Sequence, residues 1–250
     1  MSDSDLSQLL AGWPHEAGRI NARRIDGRDG RPKIQVRIDL GVLQMEWTGR
    51  PDGVRPDDFD TLLDLHRERL DRYARQAGTP AGFVLSGDDC RRLREEAIQF
   101  YHRYVALFAL GEYERVRIDT AHNLAVFDLC RDFGASEQDR ALLEQFRPHV
   151  ITMRCRAEAE LAVGERQPKA ALAALDRGLE ELRACYADAG RTDVFETANE
   201  VQLLRGMRDA LVPKLPSSQR VELEERLRAA LDAENYELAA ILRDELRMLG

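Results

Sequence analysis

From residue 57 to the C-terminus, apolar residues recur at the three-and-four spacing that is typical of amphipathic helices. The first run extends from Phe59 to Tyr73. Asp57 or Asp58 is the candidate N-cap of this helix, and Gly78 is its candidate end. Because each apolar helix face needs a neighbour to cover it, the chain is predicted to be mainly α-helical, with its helices packed against one another.

Turn and capping signals divide this region into successive helices. Ser86 or Asp88 is the candidate N-cap of a second helix, which is expected to stop at Gly111. Ser136 with Asp139 resembles a capping box, in which two side chains satisfy free backbone N–H groups at a helix start. The pattern predicts antiparallel helix pairs, and a further helix over about residues 194–212.

Two of these helix pairs resemble degenerate tetratricopeptide repeats. The step between Gly111 and Gly164 is 53 residues, longer than the ~34 of a regular repeat, and Thr120 and Asn123 depart from the family pattern. The resemblance implies stacked helical hairpins with a concave surface for a peptide, and the alternative is a generic helical bundle. The residues that fit the family pattern are Gly111, Tyr113, Val116 and Leu124 in the first pair and, only after a two-residue insertion, Gly164, Ala171, Leu175, Gly178 and Leu179 in the second.

A β pattern occupies residues 20 to 48. The runs INARRID and KIQVRID alternate with period two and flank the turn-rich GRDGRP, so this region is predicted to form a β-hairpin. Beyond Gly41 the apolar phase shifts, which a bulge or a tight turn at that glycine would explain. The N-terminal region is therefore expected to be a small β-hairpin or a three-stranded sheet.

The predicted hairpin also carries a cluster of basic residues. The chain as a whole has a net charge of −8, which argues against a surface that binds polyanions everywhere, but a local phosphate-binding patch remains a hypothesis. In that case Trp47 is the candidate plane for a stacked base. The alternative is a solvated hairpin whose charges protect its edge from aggregation. The candidate phosphate-binding residues are Arg23, Arg24, Arg28, Arg31 and Lys33.

The C-terminal segment 220–249 resembles the UVR motif, a helical hairpin found in UvrB and UvrC excision-repair proteins, in Clp-type unfoldases and in activators of protein-arginine kinase. The resemblance covers about 30 of the 250 residues, so it indicates a module and not a whole protein. Leu246 replaces the commoner Ile of the family. The residues that match the family pattern are Leu223, Leu227, Ala230, Glu234, Tyr236, Glu237, Ala239, Ala240, Leu242, Arg243, Asp244 and Leu249.

Helical geometry supports a docking role for this segment. The apolar residues of its first helix span an arc of ~100°, whereas those of its second helix span ~200°. The first helix therefore covers only part of the second, and the remainder needs another partner. Three partners are possible: the chain's own helical body, a second copy, or a foreign protein, and the family resemblance favours the last two. The candidate partner-binding residues are Leu227, Leu231, Tyr236, Leu238, Ala239, Leu242, Arg243, Leu246 and Leu249.

Catalytic and metal-binding patterns are missing from the sequence. The cysteines at 90, 130, 155 and 185 are too widely spaced for a zinc site and are expected to be reduced and mostly buried. No HExxH, GxSxG, P-loop or dinucleotide glycine fingerprint is present. We therefore expect no enzyme activity, no cofactor, no metal and no small-molecule substrate. The N-terminus lacks signal-peptide features and no apolar run has the ~20 residues of a membrane span, so a cytoplasmic protein without membrane contact is expected.

These patterns predict four regions. They are a β-rich module at 1–56, a tetratricopeptide-like helical body at 57–212, a linker at 213–219 and a UVR hairpin at 220–250. The hypothesis for function is a non-catalytic adaptor or regulatory protein that binds a partner protein through the hairpin. The resemblance implies a partner from excision repair or regulated proteolysis. The alternative is a nucleic-acid-associated factor that uses the basic β-hairpin.

Overall fold

A computed structural model describes residues 6–211, 217–232 and 235–247. It shows a mainly α-helical chain with a small antiparallel sheet near the N-terminus, as the sequence predicts. The strands are β1 (Asn21–Asp26), β2 (Pro32–Ile38) and β3 (Gly41–Glu46). The helices are α1 (Ser7–Leu10), α2 (Leu62–Ala77), α3 (Gly87–Ala109), α4 (Tyr113–Phe133), α5 (Glu137–Ala141), α6 (Arg147–Gly164), α7 (Pro168–Asp188), α8 (Asn199–Leu211), α9 (Ser217–Asp232) and α10 (Tyr236–Arg247).

The chain divides into two compact units, Met1–Ala157 and Glu158–Gly250. In the first unit, the sheet packs against α3, and α3 pairs with α4. In the second, α7 pairs with α8 and α9 pairs with α10. Among the described residues, no helix is both long enough and apolar enough to cross a membrane.

The sheet is a meander in which each strand pairs with the next. Ile34 of β2 lies opposite Met45 of β3, and Val36 lies opposite Leu43, so these apolar side chains share one face. A two-residue turn connects β2 to β3 directly before Gly41. Leu40 lies in this turn and is almost fully exposed. The shift of the apolar phase at Gly41 therefore marks a tight turn between two strands.

The apolar face of the sheet is covered by helices that follow it in the chain. Ile34 is completely buried, and burial of a side chain of this size contributes roughly 1.5–3 kcal/mol. The sheet and the helices thus share one core and depend on each other. The buried residues of this core are Ile34, Met45 and Trp47 from the sheet region and Tyr104, Ala106, Leu107, Val116, Met153 and Ala157 from the helices.

The first long helix begins later than the sequence predicts. Thr61, and neither aspartate, is the N-cap of α2, because its hydroxyl accepts a hydrogen bond from the N–H of Asp64 at 3.1 Å. Pro56 starts a short 3₁₀ turn in which Asp57 and Asp58 have φ angles of 46° and 66°. The prediction of Asp57 or Asp58 as the cap was wrong because this turn ends before the helix starts.

Other helix boundaries agree with the sequence signals. Ser86 and Asp89 form a capping box at the start of α3. Ser136 caps α5 by accepting a hydrogen bond from the N–H of Asp139 at 3.1 Å. Gly111 follows α3 with φ of 75°, a left-handed conformation that favours glycine. The predicted caps and stops at these positions are confirmed.

The predicted helix over 194–212 is divided in the structure. A 3₁₀ segment occupies Thr192–Thr197, and α8 begins at Asn199 and ends at Leu211. The aromatic rings of Tyr186 and Phe195 meet edge to face at 6.0 Å and hold the 3₁₀ segment against α7. Residues 212–216 of the predicted helix end and linker lie outside the described residues, and α9 is helical from Ser217.

A buried carboxylate completes the N-terminus of α2. Glu96 of α3 is fully buried and accepts hydrogen bonds from the N–H groups of Leu62 at 2.8 Å and Leu63 at 3.1 Å. Arg50 and His122 approach the same carboxylate at 3.4 and 3.2 Å. Since the first N–H groups of a helix have no intrahelical partner, Glu96 satisfies two of them and joins α2 to α3.

A second buried charge joins the sheet to the helices. Arg103 of α3 makes a bidentate ion pair with Asp119 of α4, with both N–O distances 2.8 Å. Its remaining terminal nitrogen, Nη1, donates to the carbonyl oxygens of Glu46 at 3.1 Å and Gly49 at 2.7 Å, at the end of β3. Arg103 is therefore a central link of the first unit, since one side chain holds three segments.

All four cysteines are free thiols. Cys90, Cys130 and Cys155 are buried, and Cys185 is partly exposed. This agrees with the expectation of reduced, mostly buried cysteines.

The stability of the first unit is expected to fall on acidification below about pH 6.5 because of His66. Burial lowers the pKa of His66, and Nη1 of Arg69 lies 3.1 Å from its Nδ1, which must accept because arginine only donates. The unfolded chain therefore binds a proton that the folded chain excludes. The free energy of unfolding falls as pH drops from about 6.5 towards the lower folded-state pKa, by up to about 1.4 kcal/mol per pH unit.

Urea denaturation at several pH values measures this slope. His66→Gln removes the titrating group, so its slope between pH 7 and pH 5 should be smaller than that of the unchanged chain. Burial also lowers the pKa of His102. His102 therefore contributes in the same direction, and the variant keeps a residual slope. Identical slopes for the two proteins would contradict the role of His66.

Candidate functional site

Helices α9 and α10 fold back on each other as a helical hairpin. Asn235 lies directly before α10, and its backbone N–H donates to the carbonyl oxygen of Ala230 at 2.9 Å. Its side-chain oxygen accepts a hydrogen bond from the N–H of Leu238 at 3.1 Å. Asn235 is thus the N-cap of α10 and also ties the start of this helix to the end of α9.

The contact between the two helices is small. Ala230 of α9 and Ala239 and Leu242 of α10 are its buried residues, and Leu223 and Leu227 pack partly buried against them. Alanine side chains at the contact permit a close approach of two helix axes. Leu242 is the only large side chain of this contact that is fully buried among the described residues.

The predicted partner-binding residues divide into groups in the structure. Some are buried inside the hairpin itself, and these are Ala239 and Leu242. Others are partly buried, and these are Leu227 and Leu246. The exposed ones are Leu231, Tyr236, Leu238 and Arg243, and Leu249 lies outside the described residues.

An exposed apolar pair lies on the outer side of α10. Leu238 is 38% exposed and Ile241 is 54% exposed. The two are three positions apart in the helix, which places them about 60° from each other on the helical wheel. We call Leu238 and Ile241 the outer pair. Sequence reasoning named Leu238 but missed Ile241, although the position of Ile241 beside Leu238 on the wheel was a signal for it.

Each helix of the hairpin is short, and the contact between the two leaves apolar surface exposed. Its helices have 16 and 12 residues, a length at which isolated helices are marginal in water. The shared contact with α9 buries Ala239 and Leu242 but leaves the outer pair uncovered. When the apolar arc of a surface helix is wider than the part that its neighbour covers, a second partner that covers the rest stabilises the helix.

The basic residues of the sheet are mostly engaged with neighbouring side chains. Arg23 donates two hydrogen bonds to Oε1 of Gln35, at 2.9 and 2.8 Å, and its guanidinium lies 3.9 Å from the centre of the Trp13 ring. Lys33 makes ion pairs with Asp29 and Glu46, and its hydrogen bond to Glu46 raises the pKa of the lysine. These two side chains therefore have neighbours that compete with a phosphate.

Trp47 does not provide an open stacking plane. The residue is buried, and the guanidinium groups of Arg24 and Arg115 lie 4.8 and 4.6 Å from its ring centre. The hypothesis that Trp47 stacks with a base was wrong because the ring belongs to the core between sheet and helices. Arg28 and Arg31 are exposed near the turn between β1 and β2.

Comparison with known proteins identifies the C-terminal region. The family model of the UvrB/uvrC motif matches residues 218–250, which include α10 and nearly all of α9. No curated protein and no solved structure matches the chain. The C-terminal resemblance predicted from the sequence is confirmed, whereas the tetratricopeptide-like interpretation of the body stays a prediction.

Proposed function

We propose that this chain, whose residues 218–250 match the UvrB/uvrC motif, is a non-catalytic adaptor or regulatory protein that binds a partner protein through the hairpin α9–α10. The observation that carries the proposal is the outer pair, Leu238 and Ile241, which stays exposed although the two helices are paired. Apolar side chains exposed side by side on a small module favour a protein interface.

The partner in this proposal is a foreign protein with a helical hairpin of the same kind. A second α-helix laid along α10 would cover the outer pair with apolar residues at three-and-four spacing. Arg243 and Asp244 are exposed on the same helix and would set the orientation of the partner through ion pairs at the rim.

The resemblance suggests two settings for such an adaptor, excision repair and regulated proteolysis. We place it in the cytoplasm as part of the proposal, because the proteins that the resemblance implies act there. The cysteine-rich zinc modules of arginine-kinase activators are missing from this sequence, so an equivalent role is not proposed. The nucleic-acid alternative has less support, because Arg23, Lys33 and Trp47 are engaged within the first unit.

The double variant Leu238→Glu with Ile241→Glu is expected to lose the partner. Loss of a buried side chain at the centre of an interface costs about 2 kcal/mol or more of binding free energy, and 2 kcal/mol weakens binding about 30-fold. The full-length protein is used as bait in a native lysate, and recovered proteins are identified by mass spectrometry. The expected result is a recovered protein that carries its own hairpin of this motif and disappears with the double variant.

Leu203→Glu is the matched control, because Leu203 lies on α8 with 42% exposure, close to the 38% of Leu238. It should recover the same protein as the unchanged chain. Equal recovery by the double variant and the control would exclude the hairpin as the docking element. Sedimentation velocity of the purified chain tests whether a second copy covers the outer pair. A dimer that the double variant converts to a monomer would show that the partner is a second copy and not a foreign protein.

A further inference from the structure

A cleft of about 740 Å³ opens in the first unit between α3, the segment from α5 to the start of α6, and α4. Its wall is almost entirely apolar. Exposed apolar residues usually occur singly on a protein surface. Here four large apolar side chains of one wall are exposed together. These residues are Ile98, Tyr101, Leu142 and Phe146.

A buried amide forms part of the inner wall. Asn123 of α4 is 2% exposed, and its Nδ2 donates to the carbonyl oxygen of Ala97 at 2.9 Å. Its Oδ1 has no hydrogen-bond partner among the residues that the structure describes. An unmatched buried acceptor destabilises a fold unless a donor reaches it, so this oxygen indicates a ligand group that donates a hydrogen bond.

The charged groups at the edge of the cleft are already paired. Arg91 contacts Asp88 at 2.6 Å and Glu95 at 2.5 Å, and Arg94 contacts Asp139 at 3.1 Å. Burial lowers the pKa of His102, another wall residue, and so favours its neutral form at neutral pH. The electrostatic environment therefore favours an uncharged molecule over an anion or a cation.

We propose that this cleft binds an uncharged, largely apolar small molecule that donates a hydrogen bond to Asn123. The volume lies within the roughly 300–1,000 Å³ of small-molecule sites, and an apolar wall with one polar anchor is their usual construction. Its wall residues all belong to the first unit, so the site adds a ligand-binding activity to the proposed adaptor. No sequence motif marks such a site, because its wall residues come from helices that are distant in the chain.

Isothermal titration calorimetry of the full-length protein with two matched probes tests this inference. 4-Benzylphenol is apolar and carries one hydroxyl donor, and 4-benzylanisole has nearly the same shape without the donor. Saturable binding of the phenol is expected, with the ether at least about fivefold weaker, because the unpaired oxygen of Asn123 rejects it. Absence of saturable binding by the phenol would overturn the site, and equal affinities would overturn the role of Asn123.

Two substitutions locate the binding. Ile98→Glu and Leu142→Glu each place a charge on the cleft wall at an exposed position, and each should weaken the phenol at least about tenfold. Ile118→Glu is the control, because Ile118 is 57% exposed on α4 outside the cleft and Ile98 is 54% exposed. Circular dichroism checks that the variants remain folded. Unchanged affinity in both wall variants would show that the probe binds elsewhere and would overturn the proposal.

Discussion

Replacement of Arg103 by Met is expected to lower the free energy of unfolding of the first unit by about 3–5 kcal/mol. The variant leaves the carboxylate of Asp119 buried without its partner and also removes the donor to the carbonyls of Glu46 and Gly49. Removing one member of a buried pair costs more than the pair contributes, because the remaining charge is neither solvated nor compensated. This is the largest effect on stability that we expect from a single side chain of this unit.

Tryptophan fluorescence during urea denaturation measures the loss, since both tryptophans, Trp13 and Trp47, lie in the first unit. Arg91→Met is the matched control on the same helix. Arg91 also pairs with two carboxylates, but its side chain is 53% exposed, so its loss should cost about 1 kcal/mol or less. Similar losses for the two variants would show that burial of the Arg103 pair does not govern stability.

Leu242→Glu is expected to separate the two helices of the hairpin. Leu242 is 1% exposed and packs in one cluster with Ala230 and Ala239, so the change removes the largest buried side chain of the contact and buries a carboxylate instead. The free energy that holds α9 and α10 together is expected to fall by roughly 3 kcal/mol or more, which is comparable to the whole stabilisation that such a small contact provides. Amide hydrogens of α9 and α10 should then exchange at nearly unprotected rates, and recovery of the partner should fail.

The outer pair provides the control for this second variant. Leu238→Glu changes a partly exposed residue of the same helix, so the free chain should keep the exchange protection of α9 and α10 while losing the partner. The comparison therefore separates a residue that builds the hairpin from one that docks it. Retained exchange protection in Leu242→Glu would contradict the assignment of Leu242 to the hairpin contact.

Local patterns predicted most of the secondary structure. The sheet, the caps at Ser86 and Ser136 and the stop at Gly111 each depend on residues within one or two turns of the chain. The cap of α2 was assigned wrongly because both candidate aspartates lie in the 3₁₀ turn that follows Pro56, and the apolar periodicity carries no signal of that turn. The hairpin could be identified from the sequence because it is one contiguous segment with a specific family pattern.

Features built from distant residues were not predictable in this way. Arg103 meets carbonyls 54 and 57 positions away, and one arginine among many in a helical pattern carries no signal of such contacts. The cleft likewise gathers residues from several helices, so no periodicity reveals it. Within the hairpin, the wheel indicated that some apolar surface stays uncovered, but only the structure separates the buried Leu242 from the exposed Leu238 and Ile241.

The shared core of sheet and helices has a consequence for synthesis of the protein. At about 5–20 residues per second, the roughly 70 residues from Met45 to Val116 take several seconds to translate. During that time the strands are already synthesised, but the helices that cover Ile34 and Met45 are still being made. The nascent chain therefore exposes the apolar face of the sheet during this interval, when that face is most open to aggregation.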